Sequence, residues 1–161
     1  MNFFSLFSYV KTMLFRGESD VSAEYPSTML AHPVDSLRLF LHVVGALIWV
    51  GGQFTLAALV PVLKAKDPAL PGIVARAFNK IAWPAFALLI VTGAWNMAQV
   101  PKTATNNYHM VLGVKMTVVL FSGVAAFMHT KSHDTKRIAF WGSISGLMAI
   151  AATYIGILLA G

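Results

Sequence analysis

Four long apolar stretches dominate the chain, and none of them contains Asp, Glu or Arg. They cover residues 39–63, 81–100, 108–128 and 138–161. Each reaches the roughly 20 residues with which a helix crosses about 30 Å of hydrocarbon. The period-two alternation expected for the strands of a membrane barrel does not persist in any of them. The pattern therefore predicts an all-α fold, an integral membrane four-helix bundle.

The beginning of the chain carries a different pattern, which predicts a short N-terminal interfacial helix. Its apolar residues recur at helical spacing, at Phe3, Phe7, Val10 and Leu14. A secretion signal is a poorer interpretation, because the positively charged start is missing and Lys11 interrupts the apolar stretch. We therefore divide the chain into an interfacial helix with an extracytoplasmic linker, residues 1–36, and a four-span membrane domain, residues 37–161.

Composition supports the membrane assignment independently of the pattern. Hydrophobic residues make up 57% of the chain and charged residues only 11%. A soluble domain carries about a quarter charged residues, so the solvent of this protein is the lipid bilayer. Cysteine is absent, which excludes disulfides and thiolate metal sites.

The positive charges of the chain predict its orientation. The connections after the first and third stretches are flanked by seven basic residues: Lys64, Lys66, Arg76, Lys80, Lys131, Lys136 and Arg137. The second connection has Lys102 alone, and the segment before the first stretch carries Glu18, Asp20, Glu24 and Asp35, with Arg38 near the helix start. Short basic loops stay in the cytoplasm, so both termini are expected outside it. This bias accounts for the net charge of +6, and we infer no nucleic-acid binding.

Two ionisable residues inside the stretches mark a candidate site, His42 in the first and Lys115 in the third. Such groups are rare at membrane depth and usually face a bundle interior, a cavity or a cofactor. His42 lies five residues beyond Leu37 and Lys115 seven beyond Tyr108. With a rise of about 1.5 Å per residue, their depths differ by only ~3 Å. The alternatives are an interhelical hydrogen bond for His42 and a Lys115 side chain that extends to the membrane surface.

Other residues are expected in the same outer half of the bundle. The second and fourth stretches run in the opposite direction, which brings Asn96 and Tyr154 towards His42 and Lys115. Gly45, Trp49 and Gly52 follow His42 on one helix face. These glycines either leave room for a large ligand beside His42 or allow close helix packing.

The first three stretches resemble the four-helix domain of copper resistance protein D, the CopD family. The resemblance covers about residues 37–129 and rests on LHVVGALIWVGGQF, ARAFNKIAWPAFALLIVTGAWN and YHMVLGVKMTVVL. It implies copper handling in the bacterial inner membrane beside a periplasmic copper carrier. The same histidine and lysine also resemble the HemJ-type protoporphyrinogen oxidases, which implies haem b. Imidazole is a common axial haem ligand, and a lysine could serve a propionate.

A copper ion would require soft or imidazole ligands, and thioethers select Cu(I). The candidates are His42, His109, His32 and Met110. The cofactor-binding candidates for either ligand are His42, Lys115, Trp49, Asn96 and Tyr154. Met is also a routine packing residue, so its position alone is weak evidence of a metal site.

Copper handling is the leading functional hypothesis from sequence. Haem b binding, for electron transfer or porphyrin oxidation, is the second, and a structural subunit of a larger membrane complex is the third. The spans contain no carboxylate for general acid–base chemistry, which favours a role other than catalysis. We expect a multi-pass protein of the bacterial inner membrane with both termini extracytoplasmic. Homo-oligomerisation stays open.

The topology can be tested with reporters fused after residue 161. We expect an extracytoplasmic-active reporter to be active there and a cytoplasmic-active one to be silent, because the seven basic residues hold their connections inside. A fusion in the connection after Lys66 serves as the control and should give the reverse result. A cytoplasmic signal from the C-terminal fusion would contradict the orientation and the shared depth derived from it.

Overall fold

A computed structural model describes residues 33–160, which form helices joined by short connections. The helices are α1 (Pro33–Ala46), a π-helical segment (Leu47–Gly51), α2 (Gly52–Lys66), α3 (Leu70–Ala98), α4 (Asn106–Lys131) and α5 (Thr135–Ala160). Within this part of the chain there is no strand. Helix α4 begins at a side-chain cap, where the Tyr108 N–H donates to Thr105 Oγ1 at 3.2 Å.

The four predicted spans are confirmed as helices. Four helical stretches are long and apolar enough to cross a membrane, namely Pro33–Lys66, Leu70–Ala98, Asn106–Lys131 and Thr135–Ala160. The first combines α1, the π-helical segment and α2. The protein is therefore an all-α, multi-pass membrane bundle. The predicted interfacial helix lies outside the residues that the structure describes.

The first two spans form one helix pair and the last two form another. Down the face of the first span, His42 contacts Thr92, Gly45 packs on Leu89, and Trp49 packs on Phe86. These contacts pair the first span with α3 in antiparallel fashion. We call the end of the bundle where α1 begins, α3 ends, α4 begins and α5 ends the site end. The opposite end carries the seven basic residues, and we call it the basic end.

A buried aromatic and serine cluster joins the two helix pairs. Trp49 is 4% exposed and packs on Phe86 of α3, with ring centroids 4.4 Å apart. Its indole N–H donates to Ser122 Oγ of α4 at 3.2 Å. Ser122 and Ser145 of α5 each donate a hydroxyl hydrogen bond to the other's carbonyl, both at 3.0 Å. Polar side chains that hydrogen bond across helices are a main source of specificity where hydrophobic contrast is missing.

The spaces beside Gly45 and Gly52 of the first span are filled by protein side chains, which supports the packing alternative. An added Cβ at Gly45 would lie 3.0 Å from Leu89 Cγ, and one at Gly52 would overlap the Phe78 ring. Gly123 of α4 likewise has no space for a Cβ, because the Phe86 ring lies against its backbone. Small residues at these points let the helices approach closely.

We predict that Gly123→Ala destabilises the bundle, whereas Gly113→Ala on the same helix does not. The new methyl group at 123 overlaps Phe86, while nothing lies within 4 Å of a Cβ at 113. Both changes gain the same helix propensity, so their difference reports the overlap, which we expect to cost about 1–3 kcal/mol. Unfolding in mild detergent measures it. Equal stability of the two variants would show that Phe86 moves aside freely.

Candidate functional site

His42 is held against α3 by a hydrogen-bonded threonine. Its Nδ1 lies 2.8 Å from Thr92 Oγ1, and a Cβ at Gly93 would lie 3.5 Å from its ring carbon Cε1. Thr92 is only 2% exposed. Its hydroxyl lies 2.6 Å from the Leu88 carbonyl one turn earlier in the helix. The imidazole therefore has one nitrogen engaged and one edge seated on a glycine.

The threonine determines which imidazole nitrogen carries the proton. A hydroxyl has a single hydrogen, and the short contact directs that of Thr92 to the Leu88 carbonyl. Thr92 Oγ1 must then accept from His42, so Nδ1 is the protonated nitrogen. In the neutral ring this leaves the lone pair on Nε2. His42 can therefore ligate a metal or accept a proton through Nε2.

Lys115 lies in the groove between α4 and α5. A Cβ built at Gly156 of α5 would be 3.0 Å from Lys115 Nζ and 3.4 Å from its Cε. The Ser122–Ser145 and His129–Ile138 contacts define one antiparallel register, in which Gly156 is level with residue 111. The ammonium therefore extends about one turn towards the site end, the direction in which side chains of α4 lean. The sequence left open whether Lys115 faces the bundle or extends to the membrane surface. The structure combines the two, because the side chain extends along its own helix towards the site end and lies between two helices.

His42 and Lys115 lie at the same level of the bundle. Both precede the Trp49–Ser122 hydrogen bond, His42 by seven residues and Lys115 by seven, on helices that run in the same direction. The shared depth expected from the sequence therefore agrees with this register.

Arg38 adds a third basic side chain one helical turn above His42. It is only 8% exposed, and its Nη2 lies 3.0 Å from Asp35 Oδ1. Its Nε and Nη1 are buried without a hydrogen-bond partner. The register through Trp49 and Ser122 puts Arg38 level with residue 111, the level that the Lys115 ammonium reaches. The two cationic groups therefore lie at a level about one turn nearer the site end than the imidazole.

The remaining predicted site residues are spread over three environments. Asn96 is half-buried near the end of α3, and Tyr154 is 61% exposed on α5. Trp49 lies in the core and donates to Ser122, and its cofactor role stays a prediction. The exposed copper candidates His109 and Met110, the latter 64% exposed, lie in the first turns of α4.

His32, another copper candidate, lies outside the described residues. Between residues 33 and 160 no three residues among His, Asp and Glu come together as a metal-holding group. The copper ligand set proposed from sequence stays a prediction.

Sequence reasoning missed two parts of this site. Gly156 carries no chemistry of its own, and only the antiparallel pairing of α4 and α5 brings it to Lys115. From sequence, Arg38 is only a charge near the start of the first helix. The signal that could have found its second role is the spacing of four residues to His42, which puts both on one helix face.

Comparisons with known proteins return no match of this chain to a family model, to a curated protein or to a solved structure. The CopD and HemJ resemblances therefore remain hypotheses, and the function proposed below rests on the side-chain geometry.

We predict that Thr92 fixes the tautomer of His42. In the parent protein, at a pH where His42 is neutral, ¹⁵N NMR of labelled histidines should show the proton of His42 on Nδ1. The His42 signal is assigned by its loss in His42→Ala. Thr92→Val removes the acceptor, and a lost hydrogen bond of about 1 kcal/mol shifts the tautomer ratio roughly fivefold towards Nε2–H.

Thr117→Val is the matched control for this experiment. Thr117 makes the same intrahelical bond, to the Gly113 carbonyl at 3.0 Å, but lies exposed and away from His42. It should leave the His42 signal unchanged. A proton on Nε2 in the parent protein would contradict the assignment of the free nitrogen.

Proposed function

We propose that this chain is a haem b-binding protein of the bacterial inner membrane, in which His42 is the residue that would ligate the iron. The observation that carries the proposal is the hydrogen bond from His42 Nδ1 to Thr92, which leaves the lone pair of the neutral ring on Nε2. Lys115 and Arg38 supply positive charge about one turn nearer the site end.

The hydrogen bond to Thr92 is the kind of support that ligating histidines have. A metal-bound imidazole usually donates its other N–H to an oxygen acceptor, which fixes the tautomer and the orientation of the ring. Thr92 is itself held by the Leu88 carbonyl, so the acceptor cannot rotate away without losing its own bond. Thr117 makes the same bond within its own helix, and Thr92 differs from it by also accepting a hydrogen bond from an imidazole of another helix.

The charge around His42 favours an acidic ligand over a bare metal cation. Arg38 and Lys115 are cationic, and Asp35 is the one acidic residue of the described helices at the site end. Like charges in a poorly solvated environment repel strongly, which disfavours a copper ion beside Lys115. Haem b brings two propionates, whose negative charge matches these side chains. The residues present therefore fit haem: His42 would ligate the iron, and Arg38 and Lys115 would bind the propionates.

The bound group would supply one-electron chemistry, and the chain's own residues would position it. Thr92 orients the imidazole, Gly93 and Gly156 give the side chains room, and the Trp49–Ser122 bond sets the level of the two helices. Electron transfer and porphyrin oxidation are both compatible with this arrangement. We further propose that both termini are extracytoplasmic, so that the site lies in the outer half of the membrane. Copper handling, a copper-carrier partner and a larger complex stay predictions of the sequence.

We predict that the purified protein, expressed with haem available, shows a Soret band that His42→Ala abolishes. Loss of the iron ligand should lower haem occupancy by about tenfold or more. His133→Ala is the matched control, because His133 is exposed in the α4–α5 connection at the basic end, and it should keep the band. Absorption spectra and haem-to-protein ratios after equal purification measure the effect.

Two outcomes would contradict this function. A parent protein without a Soret band that retains stoichiometric copper in elemental analysis would favour the copper hypothesis. Equal haem retention in the His42 and His133 variants would remove His42 from the ligand set.

A further inference from the structure

Arg38 is the one buried side chain of the described helices whose charge is only partly matched. A guanidinium offers five N–H donors, and the bond to Asp35 uses Nη2. Nε and Nη1 remain without a partner although the residue is 8% exposed. Buried donors are satisfied in nearly all native proteins, so unmatched ones point to a group that binds there.

The position of these donors indicates what that group is. They belong to the same helix face as His42, one turn nearer the site end, and the Lys115 ammonium reaches the same level from the other helix pair. A guanidinium and an ammonium at one level make a receptor for oxyanions, the guanidinium being suited to a carboxylate through two parallel bonds. A ligand seated on His42 would thus meet two cations on one side only.

We propose that Arg38 and Lys115 bind the free carboxylates of the tetrapyrrole, so that the site selects a diacidic porphyrin and turns its acidic edge towards the site end. This inference rests on the proposed haem function. It adds a specificity that His42 alone cannot give, because an iron–imidazole bond does not distinguish a porphyrin acid from its ester.

The selectivity is tested by titrating the apoprotein, in a non-ionic detergent, with haem and with haem dimethyl ester. The ester keeps the iron and the ring and lacks the negative charge. We expect the parent protein to bind haem about tenfold more tightly than the ester, since hydrogen bonds to charged groups are worth at least that factor. Arg38→Gln and Lys115→Met should each reduce this acid-to-ester ratio several-fold by weakening haem binding while leaving ester binding unchanged.

Two further variants separate this inference from the function on which it rests. His42→Ala should lose both ligands alike, because it removes the iron contact. Lys102→Gln removes an exposed charge from the connection at the site end and should keep the parent ratio. Each ratio is measured within one protein, so a general loss of stability in a variant cancels.

The possible results have different meanings. Equal affinity of the parent for acid and ester, or an unchanged ratio in Arg38→Gln, overturns the carboxylate assignment and leaves the haem function intact. Failure of the parent to bind either ligand overturns both. The titration is repeated with phosphatidylglycerol added: a ratio that falls to one would identify a headgroup phosphate as the Arg38 ligand and overturn the assignment, whereas an unchanged ratio supports it.

Discussion

The hydrogen bond from Trp49 to Ser122 is the contact on which the rest of the bundle depends. Each helix pair can satisfy its own backbone, as any membrane-spanning helix must, but lipid supplies little force to bring the two pairs together. The indole N–H crosses from the first pair to the second, where Ser122 and Ser145 already exchange hydrogen bonds. A donor left unmatched in hydrocarbon would cost several kcal/mol, so this polar contact selects one register between the pairs.

That register turns two isolated polar residues into a site. His42 lies on the first pair and Lys115 on the second, and the register set by the core puts both residues at one level of the bundle. The site end then gathers positive charge in a place where water is scarce. The molecule tolerates this because the heads of Arg38 and Lys115 lean towards the membrane surface, while their stems stay among apolar neighbours.

The fold could be predicted because it depends on the length and composition of the apolar stretches. The four apolar stretches became four helical spans, since helix ends are determined by caps such as Thr105 rather than by hydropathy. Most ends are shifted by a few residues, but α3 begins at Leu70, eleven residues before the second stretch. The shared depth of His42 and Lys115 followed from the constant rise of a helix. The contacts of individual side chains could not be predicted from the sequence. The pattern alone does not tell whether the space beside Gly45 and Gly52 holds a ligand or the side chains of Leu89 and Phe78. The burial of Arg38 was equally inaccessible, because it depends on which elements surround it.

The π-helical segment Leu47–Gly51 makes the direction in which His42 faces sensitive to the number of residues in the first span. A wider turn holds an additional residue within an otherwise regular helix, and Thr55 donates to the Gly51 carbonyl just beyond it. Deleting one residue there would let the helix close into the ordinary form without breaking it. Everything on the His42 side would then rotate by about 100° relative to everything after Gly52. The helix would survive such a deletion intact, but His42 would face lipid and Thr92 would lose its partner.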